Sequence, residues 1–266
     1  MTGHFTTEAI VLNSIDYGES DRIVTFYTLG FGKVKGIAKG AKNSRKRFVN
    51  NLEPFSYIKL LIFQKENREL FIIEQADIMG RFDKLMFDIE RLAFGSYCLE
   101  LLNEMTPEGQ RNLKVFELLV KFLIMLNEGA NIKTVVTVFE MKLLSLLGYY
   151  PHLDACVSCK NVPISRNRIF FSSAKSGIVC YSCKGSEISL MPVSPGAIEF
   201  LTLAAKTDIE KADRISMPDW ASEECENIMG DFLRYQLGKE LKSKKFLNKL
   251  QAMTERQEAI GKTHSP

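Results

Sequence analysis

With 266 residues, 45% hydrophobic and 25% charged, the chain has ordinary globular usage and room for one large or two to three small domains. No apolar run reaches the ~20 residues that a membrane helix needs, and Met1-Thr2-Gly3-His4-Phe5 is not a charged leader ahead of an apolar stretch; the expected location is the cytoplasm, with no membrane partner. The formal net charge of +3 is mild, but its distribution along the chain is uneven.

From Phe5 to Ala76 the pattern is strands and turns. Phe5–Leu12, Arg22–Thr28, Lys33–Ala38, Ser56–Gln64 and Leu70–Ala76 are short runs rich in Ile, Val, Phe, Tyr and Thr. They are separated by Asp16-Tyr17-Gly18, Gly30-Phe31-Gly32, Gly40 and Lys65-Glu66-Asn67-Arg68. Five strands in so short a span suit a small OB-type barrel, which removes most free sheet edges.

The same region carries a cationic stripe. Between Asp21 and Glu53 there is no acidic residue, while Arg22, Lys33, Lys35, Lys39, Lys42, Arg45, Lys46 and Arg47 are all basic. Aromatics are interleaved with them. Phe26 lies within a strand and reads as core; Phe31 and Phe48, beside glycine and the basic run, are the stacking candidates. Positive charge that tracks phosphates, with rings that stack on bases, is what a groove for single-stranded nucleic acid requires. A solvated loop with core aromatics is the alternative.

After Phe82 the period becomes helical. Asp88–Met105, Glu108–Leu126 and Ile132–Leu147 carry apolar residues at helical spacing, with Pro107 and Glu128-Gly129 as breaks and Gly148 as a C-terminal stop. Val115–Leu126 is apolar on most sides and reads as a central buried helix.

Cys156-Val157-Ser158-Cys159 and Cys180-Tyr181-Ser182-Cys183 then form two CxxC pairs separated by twenty residues. That spacing matches a structural four-cysteine zinc site, one Zn2+ per chain held by Cys156, Cys159, Cys180 and Cys183. Disulfides, an iron–sulfur site and free thiols are the alternatives; a cytosolic location and the spacing disfavour the first two. The insert holds Lys160, Arg166, Arg168 and Lys175 and no acid, and either phosphate contact or solubility accounts for its charge. His152 is expected to be a surface or capping residue, and Cys98 and Cys225 to be buried bystanders.

Helices resume after the insert. Ser194-Pro195 sets an N-cap and a first-turn proline for Pro195–Ala205, and a second run covers about Ser222 to Leu237. Arg234, Lys239, Lys242, Lys244, Lys245 and Lys249 against Glu240 alone read as a secondary basic patch. The segment beyond Met253 is polar and expected to fray. The expected organisation is an OB barrel over 1–80, a helical domain over 81–150 and 190–252, a zinc-binding insertion at 151–189, and a tail at 253–266.

Enzyme signatures are missing from the sequence. Gly36-Ile37-Ala38-Lys39-Gly40-Ala41-Lys42 has the wrong spacing for a phosphate loop, and three histidines without HExxH or HxE leave metalloprotease and deaminase readings without a base or ligand. The expectation is no enzyme. A nuclease whose carboxylates converge only in the fold, and a zinc-stabilised protein-interaction module, are the alternatives.

The run Ala9-Ile10-Val11-Leu12, then Asp16-Tyr17-Gly18-Glu19-Ser20-Asp21-Arg22-Ile23-Val24-Thr25, then Gly32-Lys33-Val34-Lys35-Gly36-Ile37-Ala38-Lys39-Gly40-Ala41-Lys42 resembles the N-terminus of the RecO family of bacterial recombination mediators. Phe139-Glu140-Met141-Lys142-Leu143-Leu144, with Leu147-Gly148-Tyr149 and Pro151, resembles the segment leading into that family's zinc site. Leu237-Gly238-Lys239-Glu240-Leu241-Lys242-Ser243 is similar to its C-terminal helix. Some members lack the cysteines; this chain keeps all four. The resemblance implies an α+β multidomain fold, with an OB-fold followed by a helical domain carrying the zinc insertion. It implies a non-enzymatic role near the nucleoid in DNA repair and recombination: binding single- and double-stranded DNA, annealing complementary strands, and working with RecR to load RecA onto DNA coated by single-strand binding protein. The acidic C-terminal tail of that protein is an implied partner, and RecF and RecA are implied indirectly.

Overall fold

A computed structural model describes residues 2–44, 47–48, 50–66, 70–163, 169–185, 189–216 and 218–263, with positions 219 and 254–263 described by their backbone alone. The chain divides into two units, residues 1–89 with 99–128, and 90–98 with 129–266.

The first unit is built on five strands: β1 (Gly3–Tyr17), β2 (Asp21–Thr28), β3 (Gly32–Ala38), β4 (Tyr57–Gln64) and β5 (Phe71–Gly80). They close into a barrel in the order β1-β2-β3-β5-β4. β3 and β5 pair in parallel and the other neighbours antiparallel, which is the topology of an OB fold. Closure depends on β1, which is far longer than expected. Gly3–Ile10 pairs with β4 and Ala9–Tyr17 with β2, and a register shift between Val11 and Asn13 turns the strand from one partner to the other. Alternation then sends Val24, Phe26, Val34, Leu60, Ile62 and Ile73 into the barrel. Gly36 is required where β3 crosses this core, since a Cβ there would lie 2.8 Å from Ile73 Cγ1.

Helix α1 (Asp83–Phe87), the second half of α2 (Ile89–Met105) and α3 (Leu113–Glu128) complete this unit. Val115, Phe116, Leu119, Phe122, Leu123 and Leu126 are buried, as the apolar run predicts. Its start differs from the expected Glu108. Gly109, at φ 72, donates its N–H to the Lys33 carbonyl at 2.8 Å, so 108–111 lies against β3, and Asn112 accepts from Val115 N to begin the helix.

The second unit holds the first half of α2, then α4 (Ile132–Leu147), a small sheet, α5 (Pro195–Lys206), a 3-10 turn (Ile209–Arg214), α6 (Asp219–Leu237) and α7 (Lys242–Thr263). Asn131 caps α4 and Gly148 ends it at φ 81; the Ser194 hydroxyl accepts from Ala197 N ahead of Pro195. β6 (Ile169–Ser172), β7 (Gly177–Cys180) and β8 (Met191–Val193) form the sheet in the order β7-β6-β8. Phe171 of β6 packs edge-on against Phe232 of α6 at 5.7 Å, which anchors the sheet to the helices. Helix α7 continues past Met253, where fraying is expected; Glu255, Arg256, Gln257, Glu258 and Ala259 are good helix formers with no proline among them.

Candidate nucleic-acid interface and metal centre

Strand register sorts the basic residues of the barrel. Even-numbered residues of β2 point inward, so Arg22 sits at the barrel's end facing Ala38, where it pairs with Asp16 at 3.3 Å and with Glu53. The hydrogen bond that Arg22 donates to Glu53 holds its pKa above the usual value, against burial. Arg22 therefore sits at the barrel end paired with two exposed carboxylates. Lys33, also expected in the DNA-binding set, is turned towards the chain itself. Its ammonium donates to the Asn103 carbonyl and burial pulls its pKa down.

Lys35 is exposed on the outer face and pairs with Glu108 at 2.5 Å. Lys39, exposed at the end of the strand, has no ion pair among the described residues. Lys42 bonds the Gly18 carbonyl at 3.0 Å and Asp16 at 3.2 Å, and Arg47 lies over the Phe48 ring at 5.0 Å. Arg45 and Lys46 lie outside the described residues, as do Arg166 and Arg168 of the insert.

The two stacking candidates lie in or against the barrel core. Phe48 is 5% exposed and belongs to the barrel core. Phe31 packs against that core and meets Phe5 and Phe71 at 5.4 and 5.9 Å. Phe48 has no ring face left for a base, and Phe31 is already half-buried among aromatics, because folding uses aromatic area for the core first. The exposed aromatic beside the basic turn is instead Tyr17, in the strand extension that the sequence reads as a turn.

The secondary basic patch is interleaved with acids from α6 and from the link that follows it. Arg234 pairs with Asp231 at 2.5 Å, Lys245 with Glu240 at 3.6 Å, and Lys244 with Glu226 at 2.5 Å. Lys244 is largely buried, its ammonium 5.5 Å from the Tyr97 ring centroid. Lys239, Lys242 and Lys249 are exposed. A cavity of about 460 Å³, lined among others by Arg234, Lys239 and Glu240, lies between α6 and α7.

The four cysteines converge as expected. Their sulfurs all lie within 4.8 Å of one another, and Cys159 and Cys180 Sγ are 3.8 Å apart. Tetrahedral thiolates at the usual Zn–S length of about 2.3 Å would be about 3.8 Å apart, so the cluster has the right size. Burial alone would push the Cys156 thiol up, but backbone N–H groups of Cys159, Cys180 and Ser158 outweigh it and hold it down at about 6. Cys183, hydrogen-bonded with Cys180 and Cys159, is pushed up to about 12. Four sulfurs this close ionise together only around a cation.

The turns are fixed by backbone. His152 donates its N–H to Ser176 O at 2.8 Å and accepts from Ile178 N at 2.9 Å, and Gly177 lies so close that a Cβ would be 2.5 Å from the His152 carbonyl. His152 thus contributes main chain to the ribbon and is not in the thiol cluster. Cys98 and Cys225 are buried with their thiols pushed up by burial, Cys225 to about 12.

Comparison with known proteins bears on both sites. Residues 1–82 match the family model described as "Recombination protein O N terminal" and residues 86–245 match "Recombination protein O C terminal". The protein named DNA repair protein RecO from Syntrophus aciditrophicus is 37% identical over 249 residues, covering 93% of this chain and 96% of its own. Proteins of the same name from Caldanaerobacter subterraneus subsp. tengcongensis and Bacillus pumilus are 35% and 32% identical, covering 92% and 93% of this chain and 97% and 94% of theirs.

Proposed function

Because the chain belongs to the recombination protein O family, we propose that it is a non-enzymatic recombination mediator of DNA repair that binds single- and double-stranded DNA through the barrel. The observation that carries this reading is the exposed cationic edge at the end of β3, where Lys39, without an ion pair among the described residues, stands with Lys35, Lys42 and Arg47 on a closed barrel of OB topology. Phosphates neutralised there release condensed counterions, which favours binding of any sequence. Two strands held against such a surface repel one another less, which is the physical requirement for annealing. The α6–α7 lysines, with carboxylates among them, contribute less.

In the same reading the four thiols hold one Zn2+ as a structural staple, with no open position for a reacting water. The proposed partners are RecR and the acidic tail of single-strand binding protein, with RecF and RecA engaged indirectly, and the proposed location is the nucleoid-associated cytoplasm. No helix among the described residues is long and apolar enough to cross a membrane.

The test is binding of a labelled single-stranded oligonucleotide across a salt series. Affinity that falls roughly a hundredfold or more between ~50 and ~200 mM salt supports the reading. Weak, salt-insensitive binding, or cleavage of the oligonucleotide with magnesium, overturns it.

A further inference from the structure

Beyond its bulge, β1 turns odd-numbered side chains to the outside of the barrel. Ile15 faces Ile23, Ile23 faces Ile37, and Ile37 faces Ile72, so one apolar row crosses four strands on the outer surface. Tyr17 follows Ile15 on the same side of β1. Ile15 is 52% exposed and Tyr17 54%, in a barrel whose other large side chains are mostly consumed by the core. Single exposed apolar residues need no explanation, but an aligned row ending in an exposed ring does.

We propose that this outer row is the base-contacting track of the single-strand site, with Tyr17 as its stacking residue and Ile15, Ile23 and Ile37 as the apolar floor. The proposal rests on the DNA-binding reading and goes further by naming the contacts made by bases.

Two features favour an unpaired nucleic-acid strand as the occupant. Charge is the first. Lys35 lies on the same outer face one step along β3 from Ile37, and the hairpin tip carrying Tyr17 is tied to the Gly40–Asn43 turn that follows Lys39. The Asp21 carboxylate accepts from Gly40 N at 2.8 Å, Lys42 N donates to Ser20 O at 3.0 Å, and Lys42 Nζ donates to Gly18 O at 3.0 Å. These bonds tie the backbone of the hairpin that carries Tyr17 to the turn that carries Lys42. Of the acids nearby, Asp16 is bridged by Arg22 and Lys42, Asp21 is spent on the Gly40 amide and Glu108 pairs with Lys35, so Lys39 carries most of the positive charge beside the row and Glu19 stands at the tip.

Shape is the second. From Ile15 to Ile37 the row spans two strand spacings, roughly 10 Å, a strip on the outer face on which splayed bases can lie while their phosphates reach the Lys39 side. A duplex keeps its bases stacked inside and offers this strip nothing but backbone. The track therefore distinguishes single strands from duplexes, which the cations alone do not.

The experiment compares the full chain with Tyr17→Ala and Tyr17→Phe, measuring affinity for a labelled oligo-dT and for a duplex of equal length across salt. Tyr17→Ala is expected to weaken oligo-dT binding roughly five- to a hundredfold at every salt concentration, with the salt slope unchanged, duplex binding little altered and Tyr17→Phe near the parent. Because the side chain is half exposed, an unaltered unfolding midpoint is expected and checks the fold. If the parent binds oligo-dT and Tyr17→Ala binds it as well, this proposal fails alone. Equal losses on oligo-dT and duplex also overturn it. Sedimentation of the protein by itself that changes in Tyr17→Ala, with DNA affinity intact, would assign the row to a second copy of this chain and overturn it. Absence of oligo-dT binding by the parent at low salt would overturn the DNA-binding reading and this proposal with it.

Discussion

The Tyr97 hydroxyl, on α2, donates a hydrogen bond of 2.5 Å to the carboxyl of Glu140 on α4, and both side chains are buried. Burial pushes Glu140 up to about 7, against the Tyr97 bond and nearby Lys244, which pull it down, and with Glu226, which adds to the rise. A carboxyl raised in the folded state binds a proton more readily there than in the unfolded chain. Its contribution is therefore fully present below about pH 4.5 and is lost as pH rises through about 7. Glu140→Gln keeps an acceptor for Tyr97 and removes the titration. Relative to this variant, the parent is expected to lose on the order of 3 kcal/mol between about pH 5 and 8. Urea unfolding of both proteins at several pH values checks it, and parallel stability curves would refute it.

Lys244 belongs to the same buried group. Its ammonium is 2.5 Å from Glu226, and its side chain is 17% exposed. Lys244→Ala leaves Glu226 without its partner and places two acids near one another without a cation between them. A loss of about 1–3 kcal/mol in unfolding free energy is expected, with the salt slope of DNA binding unchanged. Lys249→Ala, at an exposed position, should stay within about 0.5 kcal/mol of the parent. A lower salt slope in Lys244→Ala with full stability would return this residue to the DNA surface.

What separates Lys244 from Lys249 is invisible in the sequence, where both belong to one run of cations. The acid that divides them, Glu226, comes from the preceding helix and reaches Lys244 only when α6 and α7 pack. The same limit applies to Phe48 and Phe31, whose neighbours read as surface but whose rings lie in the barrel core and against it. Strand positions were legible because alternation of apolar residues is a local property. The lengthening of β1 through Tyr17 was not, since it depends on a bulge that lets one strand serve two partners. The cysteine site was the most legible feature, because four soft ligands at fixed spacing state their geometry without help from the rest of the fold.

That geometry carries its own prediction. The purified protein should hold about one zinc per chain by elemental analysis, and chelation or Cys156→Ser should expose the 151–193 segment to protease while the barrel resists. Gly177→Ala should damage the same segment with all four thiols present, since its Cβ would fall 2.5 Å from the His152 carbonyl and 2.6 Å from Val157. A metal-free protein with an equally protected segment would contradict the staple.

Among the barrel cations, pairing sorts surface from scaffold. Lys39 is exposed and without an ion pair among the described residues, whereas Arg22 bridges Asp16 and Glu53 with a side chain only 29% exposed. Each phosphate contact with a single strand contributes about 0.7 to the salt slope. Lys39→Ala should lower the slope by up to about that amount for every sequence tested, because phosphate contacts carry no base information. Lys42→Ala should lower it less, since Lys42 already shares its charge with Asp16. Arg22→Ala should leave the slope alone and cost under about 1 kcal/mol of stability, because Asp16 and Glu53 are both well exposed and Asp16 keeps Lys42 as a partner. The opposite order, with Arg22 dominating the slope and Lys39 silent, would mean that DNA breaks these ion pairs on binding and that the cationic edge lies elsewhere.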